Sequence, residues 1–157
     1  MLLEKTSIKV CLILEENDHI LLLEQTAKNG GRFTLIGGKV EKEEFAVQSL
    51  IRESYEEAGI ALREQNLSLV HALHLQSDKK TQIILYFRAS AWDGIIRSYE
   101  PKKFKQTKWF PKIKLPDNIS DVNKTVLERY AQGKTFTNIA VDITVKINMV
   151  EEVYECQ

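Results

Sequence analysis

The sequence has no excess of charge of either sign: Lys plus Arg (22) equals Asp plus Glu (22) over 157 residues, a formal net charge of zero. That balance excludes an overall field drawing the chain to duplex nucleic acid or to an anionic membrane, so any anionic ligand has to be held by a local site. Cysteine is scarce as well. Cys11 and Cys156 lie far apart without metal-ligand spacing, so they supply neither a disulfide framework nor a zinc site, and free thiols in a reducing compartment are expected. Long apolar runs are missing: Lys9, Glu15 and Glu16 break the early ones, and Met1 to Glu4 holds no basic stretch. Neither a membrane span nor a secretory leader is expected, and the chain is assigned to the cytoplasm. Repeats, low-complexity tracts and linkers are lacking too.

What is there has the composition of a globular protein, 43% hydrophobic and 28% charged, in a length that suits one domain over 1–157 with a substantial core. Ser7 to Leu14, the turn-like Glu16 to His19 and the apolar Ile20 to Leu23 read as a hairpin of two buried strands. Glu44 to Ala58 holds no Gly or Pro and sets Val47, Leu50, Ile51, Ser54 and Ala58 on one face of a helix. Asn66 to Gln76 and Thr81 to Ala89 flank Asp78-Lys79-Lys80 as a second hairpin, and Lys105 to Phe110 reads as a strand stopped by Pro111. Asp121 to Ala131 reads as a helix capped by Ser120 or Asp121 and ended at Gly133. Ile139 to Ile147 alternates apolar and mainly polar residues. It makes 135–157 a C-terminal strand extension whose apolar face needs a cover, either the edge of the same sheet or the second subunit of a homodimer.

One stretch carries most of the chemistry: Gly37-Gly38-Lys39-Val40-Glu41-Lys42-Glu43-Glu44, running into Arg52-Glu53-Ser54-Tyr55-Glu56-Glu57-Ala58-Gly59-Ile60. On a helix, Glu53, Glu56 and Glu57 are related by i, i+3 and i+4, so their carboxylates converge on one patch away from the apolar stripe. Like charges at that spacing repel, increasingly so as water is excluded, and a stable cluster implies a cation partner. Oxygen donors of this kind suit Mg²⁺ or Mn²⁺, which take carboxylates together with water and substrate phosphates. Gly37 and Gly38 let backbone approach closely and can offer a carbonyl to the same ion. An arbitrary Glu-rich helix is usually a solvated face.

The spacing reverses that expectation. Gly38, Glu44, Arg52, Glu53, Glu56, Glu57, Gly59 and Ile60 resemble the signature box of the Nudix hydrolase family. Seven fixed identities at about one in fifteen each arise by chance on the order of 10⁻⁸ per register. The sequence departs from the pattern at Ser54, where an aliphatic residue is usual, at Ile36 in place of Pro, and at Glu43 in place of Gly. A buried Ser54 hydroxyl is expected to return its hydrogen bond to a carbonyl one turn earlier. The other two departures bear on loop geometry and leave the charges intact.

The resemblance implies an α+β fold, an α/β/α sandwich with a mixed β-sheet between helices. It implies hydrolysis of a nucleoside diphosphate linked to a further group, with divalent metal bound on the loop and helix. By position, Glu53, Glu56, Glu57 and the Gly38 carbonyl region would hold the ions. Glu53 would also deprotonate the attacking water, while Arg52 and Glu44 would brace the loop. Metals bound there would neutralise phosphate charge and lower the pKa of that water. Glu100-Pro101, Lys108-Trp109-Phe110 and Leu115-Pro116 resemble the stretch found in MutT-like nucleoside triphosphate pyrophosphohydrolases, which makes Glu100 a further metal ligand and leaves Trp109 in the core. Lys39 is a candidate for substrate phosphate, with a structural salt bridge as its plain alternative. Asn123, at the opening of the second helix, offers the donor and acceptor that a purine edge needs, with helix capping as its alternative.

Other candidates carry less. His71 and His74 point to opposite faces of a strand, and His19 is isolated, so the histidines read as structural. Lys102, Lys103, Lys105 and Lys108 form a basic stretch that is ordinarily solvated, and Gly30-Gly31 lacks the context of a phosphate loop. The leading expectation is a Mg²⁺- or Mn²⁺-dependent enzyme acting on a small-molecule nucleotide, a (d)NTP giving monophosphate and pyrophosphate. The alternatives are a sugar-nucleotide or dinucleoside polyphosphate hydrolase, an RNA 5′-end hydrolase, and a catalytically silent nucleotide-binding module. The four intact box glutamates weigh against the last.

Overall fold

A computed structural model describes residues 5–141. Strands β1 (Lys5–Ile13), β5 (Ile36–Lys39), β6 (Leu67–Ser77), β7 (Lys80–Ala89) and β9 (Phe136–Val141) form a five-stranded sheet in the order β5-β1-β7-β6-β9. It is mixed: β1 and β7 run parallel, as do β6 and β9, whereas β1–β5 and β6–β7 are antiparallel. A second, antiparallel sheet joins β2 (Glu15–Glu16), β3 (His19–Gln25), β4 (Phe33–Thr34) and β8 (Phe104–Pro111) around β3.

Alternation along the strands shows why two helices are needed. Val10, Leu12 and Leu14 point into one core with Leu21, Leu23 and Phe87, and helix α1 (Ala46–Ala58) closes it through Leu50 and Ala58. Ile13 points the other way, into a core with Ile20, Leu22, Ile84 and Tyr86, and helix α2 (Asp121–Ala131) closes that one through Val126 and Leu127. A strand buried on both faces reads as a near-continuous apolar run, which is the pattern of Val10 to Leu14. The mixed sheet thus lies between helices, the α+β sandwich that the family resemblance implies.

Several boundaries and pairings differ from the sequence expectation. The first hairpin is β2 with β3: β1 belongs to the five-stranded sheet, and the chain crosses to the other sheet at Leu14, whose carbonyl accepts the Leu21 N–H at 3.0 Å. An apolar run followed by a turn and another apolar run looks the same whether the strands pair or part. Helix α1 starts at Ala46 rather than Glu44, because Glu43 takes a left-handed φ of 68° and the Glu44 side chain turns back to Arg52. Ser120 caps α2, its Oγ accepting the Asn123 N–H at 3.2 Å. The second hairpin, β6 with β7, forms as expected. Strand β9 joins the free edge of β6, while 142–147 of the alternating segment lies outside the described residues. No helix among the described residues is long and apolar enough to cross a membrane.

Candidate active site

The site is built where α1 meets the edge strand β5. Glu57 is almost fully buried, and its Oε1 accepts the Gly37 N–H at 2.8 Å. Glu53 packs on Gly38 so closely that a Cβ there would overlap its carboxylate, and a Cβ on Gly37 would strike the Val10 carbonyl. The glycine pair is therefore required by close approach on both sides of the strand. Of the three helix carboxylates expected to share one patch away from the apolar stripe, Glu57 turns inward against the strand, Glu53 is largely covered and Glu56 is about half exposed. The Ser54 hydroxyl, expected to return a hydrogen bond to the helix, is buried without a partner among the described residues.

Arg52 organises the acids around it. Its Nε and Nη2 donate to Glu44 Oε2 and Oε1 at 2.9 and 3.1 Å, a bidentate pair, and Nη1 donates to Glu53 at 3.0 Å and to Glu56 at 3.2 Å. Glu44 also accepts the Glu41 N–H at 3.2 Å, which ties the loop before α1 to the helix. The guanidinium lowers the Glu44 carboxyl to about 2, well below the usual carboxylate range.

Charge is scarcer one turn further on. Burial pushes the Glu57 carboxyl up to about 8, against the hydrogen bond from Gly37, with Glu53 and Glu100 adding repulsion. Burial raises Glu53 as well, opposed by Arg52 and reinforced by Glu56 and Glu100. Glu100 reaches this cluster because its loop docks on the end of α1: Tyr99 N–H donates to the Glu57 carbonyl at 3.0 Å, and Arg97 N–H to the Ala58 carbonyl at 3.3 Å. Lys103 stands 3.2 Å from Glu100 Oε2, and the charges of Glu57 and Glu53 also favour its protonated form. The basic stretch that read as solvated thus contributes one cation to the acids, and the i, i+3 spacing of Glu100 and Lys103 was the available signal.

The donors fit a hard divalent cation. They are carboxylate oxygens, two of them desolvated and mutually repelling, beside a glycine backbone that comes within reach. Among the described residues no three acidic, His or Cys groups close into an ion cage as they stand, and Arg52 Nη1 bonds both Glu53 and Glu56. Such openness suits a cation that keeps water and substrate oxygens as ligands.

The remaining candidates lie beyond this cluster. Lys39, on β5, forms no ion pair among the described residues. Asn123 lines a cavity of about 440 Å³ with Gln25, Gly30, Arg32, Phe33, Thr34 and Ser120, and its Nδ2 is 3.5 Å from Thr34 Oγ1. Its side chain is not the cap, because Ser120 fills that role. Trp109, partly buried on β8, packs against the core that α1 helps to close. His71 is buried between the Lys134 carbonyl and Thr137 Oγ1, at 2.9 and 2.8 Å, a structural position far from the acids in the fold.

The NUDIX domain family model matches residues 5–130. Among solved structures, a MutT NUDIX hydrolase from Burkholderia pseudomallei is 26% identical with a TM-score of 0.71, the match covering 80% of this chain and 98% of that one. The MutT protein of Methanosarcina mazei Go1 is 20% identical with a TM-score of 0.71, covering 84% and 97%. The ORF135 protein of E. coli, at 21% identity and a TM-score of 0.70, covers 82% and 91%. The last two likenesses speak for the fold alone. No curated protein matches the sequence significantly. With the family model spanning most of the chain and the box residues gathered around Gly37 and Gly38, the chain belongs to the Nudix hydrolases as a MutT-like member.

Proposed function

We propose that this enzyme hydrolyses a nucleoside triphosphate, ribo or deoxy, to the monophosphate and pyrophosphate with Mg²⁺ or Mn²⁺ as cofactor. The observation that supports it best is the juxtaposition of Glu53, Glu57 and Glu100, acids that repel one another in a desolvated pocket at the glycine strand. Glu53, Glu56, Glu57, Glu100 and the Gly38 carbonyl region would hold the metal. When bound, such an ion neutralises phosphate charge and acidifies water. Glu53, against Gly38, takes the proton of the attacking water. Arg52, held by Glu44, keeps Glu53 and Glu56 in place through its shared Nη1. Lys39 contacts phosphate, and Asn123 presents its amide to the base in the cavity it shares with Thr34 and Phe33. Between Thr34 and Gly38 the chain runs four residues, at most about 14 Å when extended, a span that a nucleotide bridges.

A panel of nucleotides incubated with Mg²⁺ or Mn²⁺, with phosphate and pyrophosphate separated among the products, tests this. Pyrophosphate and monophosphate from a triphosphate are expected. Orthophosphate alone, or hydrolysis restricted to sugar nucleotides, would overturn the assignment.

A further inference from the structure

On the sheet face opposite α1, a second charged surface begins at the same glycine strand. Lys5, Ser7 and Lys9 alternate with Val10, Leu12 and Leu14, so they point away from the α1 core. With Lys39, Lys80, Gln82 and Gly38 they line a depression of about 420 Å³ that no acidic side chain among the described residues lines. Lys9 lies directly opposite Lys39 across β1 and β5, and Lys5 beside Lys80 across β1 and β7. Like charges facing each other across a ladder destabilise a sheet. Neither pair is relieved: none of these four lysines forms an ion pair among the described residues. In a chain with no net charge, this concentration of cations is not a matter of composition.

Gly38 belongs to both surfaces. One side of its Cα is filled by the Glu53 carboxylate, and the other borders the lysine depression. A cluster of acids and a cluster of lysines are therefore separated by one strand edge. The Gln82 side chain is buried and donates to Ser7 Oγ at 3.1 Å, which gives the floor of the depression a fixed polar group.

We propose that Lys5, Lys9 and Lys80, together with Lys39, form a subsite for an oligophosphate chain, the part of the substrate beyond the scissile linkage. The inference rests on the hydrolase reading above and narrows its substrate class: a longer anionic tail binds better than a short one. Lys9 and Lys39 hold the nearer phosphates beside Gly38, and Lys5 and Lys80 the farther ones. Compact ammonium groups suit this role as point charges on phosphate oxygens.

Binding of inorganic tripolyphosphate to the full chain in EDTA, followed by calorimetry at two salt concentrations, tests the subsite without turnover. Binding that weakens with salt is expected, with Lys9→Ala and Lys80→Ala each losing about tenfold in affinity, the equivalent of one charge-assisted contact. The melting temperature of each variant checks that it folds, and Lys80→Gln supplies a milder second variant. In turnover, the same variants should raise KM for a nucleoside tetraphosphate more than for a triphosphate while kcat is kept. Equal tripolyphosphate affinity in parent and variants overturns the subsite, and so does a groove that binds a short oligoribonucleotide but not tripolyphosphate. Lysine-dependent binding in a protein that hydrolyses no nucleotide would sink the proposed function and leave the subsite standing. Hydrolysis with lysine-independent binding would do the reverse.

Discussion

Glu57 Oε1 accepts the Gly37 amide hydrogen at 2.8 Å, which fastens the most buried acid of α1 to the edge strand of the sheet. The geometry holds the carboxylate where its charge is costly. In the unfolded chain Glu57 titrates at the ordinary 4.5, and in the metal-free fold burial moves it to about 8. The folded form therefore keeps a proton that the unfolded chain has lost between those values. Its stabilising contribution is complete below pH 4.5, declines as pH rises and is gone above 8. Glu53, raised in the same direction, adds to the slope. Thermal melts in EDTA should show Tm falling over this interval, less steeply in Glu57→Gln, and Mg²⁺ should flatten the parent curve. Parallel slopes in parent and variant would contradict the burial argument.

Glu57→Gln and Glu53→Gln should differ in turnover. Loss of charge at Glu57 weakens metal affinity and kcat together, with partial recovery in Mn²⁺. If Glu53 is the base, its Gln variant keeps metal binding while kcat falls roughly 10²–10⁴-fold. Metal titrations alongside initial rates separate the two, and Glu43→Gln serves as a control of unchanged rate.

Glu43 holds a left-handed φ of 68° at the turn into α1. A side chain there costs on the order of 1 kcal/mol, which glycine avoids. Glu43→Gly should raise the unfolding free energy by about that amount in urea melts, with kcat unaltered.

Ser54 buries a hydroxyl that has no partner among the described residues. Removing such a group recovers desolvation worth about 1–3 kcal/mol, less a small void. Ser54→Ala is expected to melt higher than the parent, and a lower Tm would show that the hydroxyl finds a partner in solution.

Ser120 and Asn123 sit on the same turn with different tasks. Ser120→Ala removes the α2 cap and should cost about 1 kcal/mol of stability while relative rates on different bases stay fixed. Asn123→Ala should leave stability nearly unchanged and raise KM unevenly across bases. Identical base preferences before and after would remove Asn123 from recognition.

The acids of α1 were legible in sequence because helical spacing alone fixes which face they share, and Gly59 marks the helix end with a left-handed φ of 67°. The inward turn of Glu57 was not, since it depends on where β5 lies, and strand adjacency is a tertiary property. The same reason hid the parting of β1 from β3. Glu100 was found by resemblance rather than by physics: only the docking of its loop on the α1 carbonyls brings it to Glu53 and Glu57. The lysine depression was invisible because Lys5, Lys9, Lys39 and Lys80 come from three strands separated in the chain.

The parallel pairing of β1 with β7 joins residues as far as 75 positions apart, as in the Ser7 to Gln82 contact. Closing so long a loop before any contact repays it slows folding, toward the roughly millisecond-to-second range of non-local topologies. Helix α1, of 13 residues, is too short to persist alone in water and docks on β5 and β1. The acid cluster is thus a product of global folding. A peptide spanning only Gly37 to Ile60 would carry every box residue and bind metal weakly, and during refolding, metal affinity should appear in the last kinetic phase.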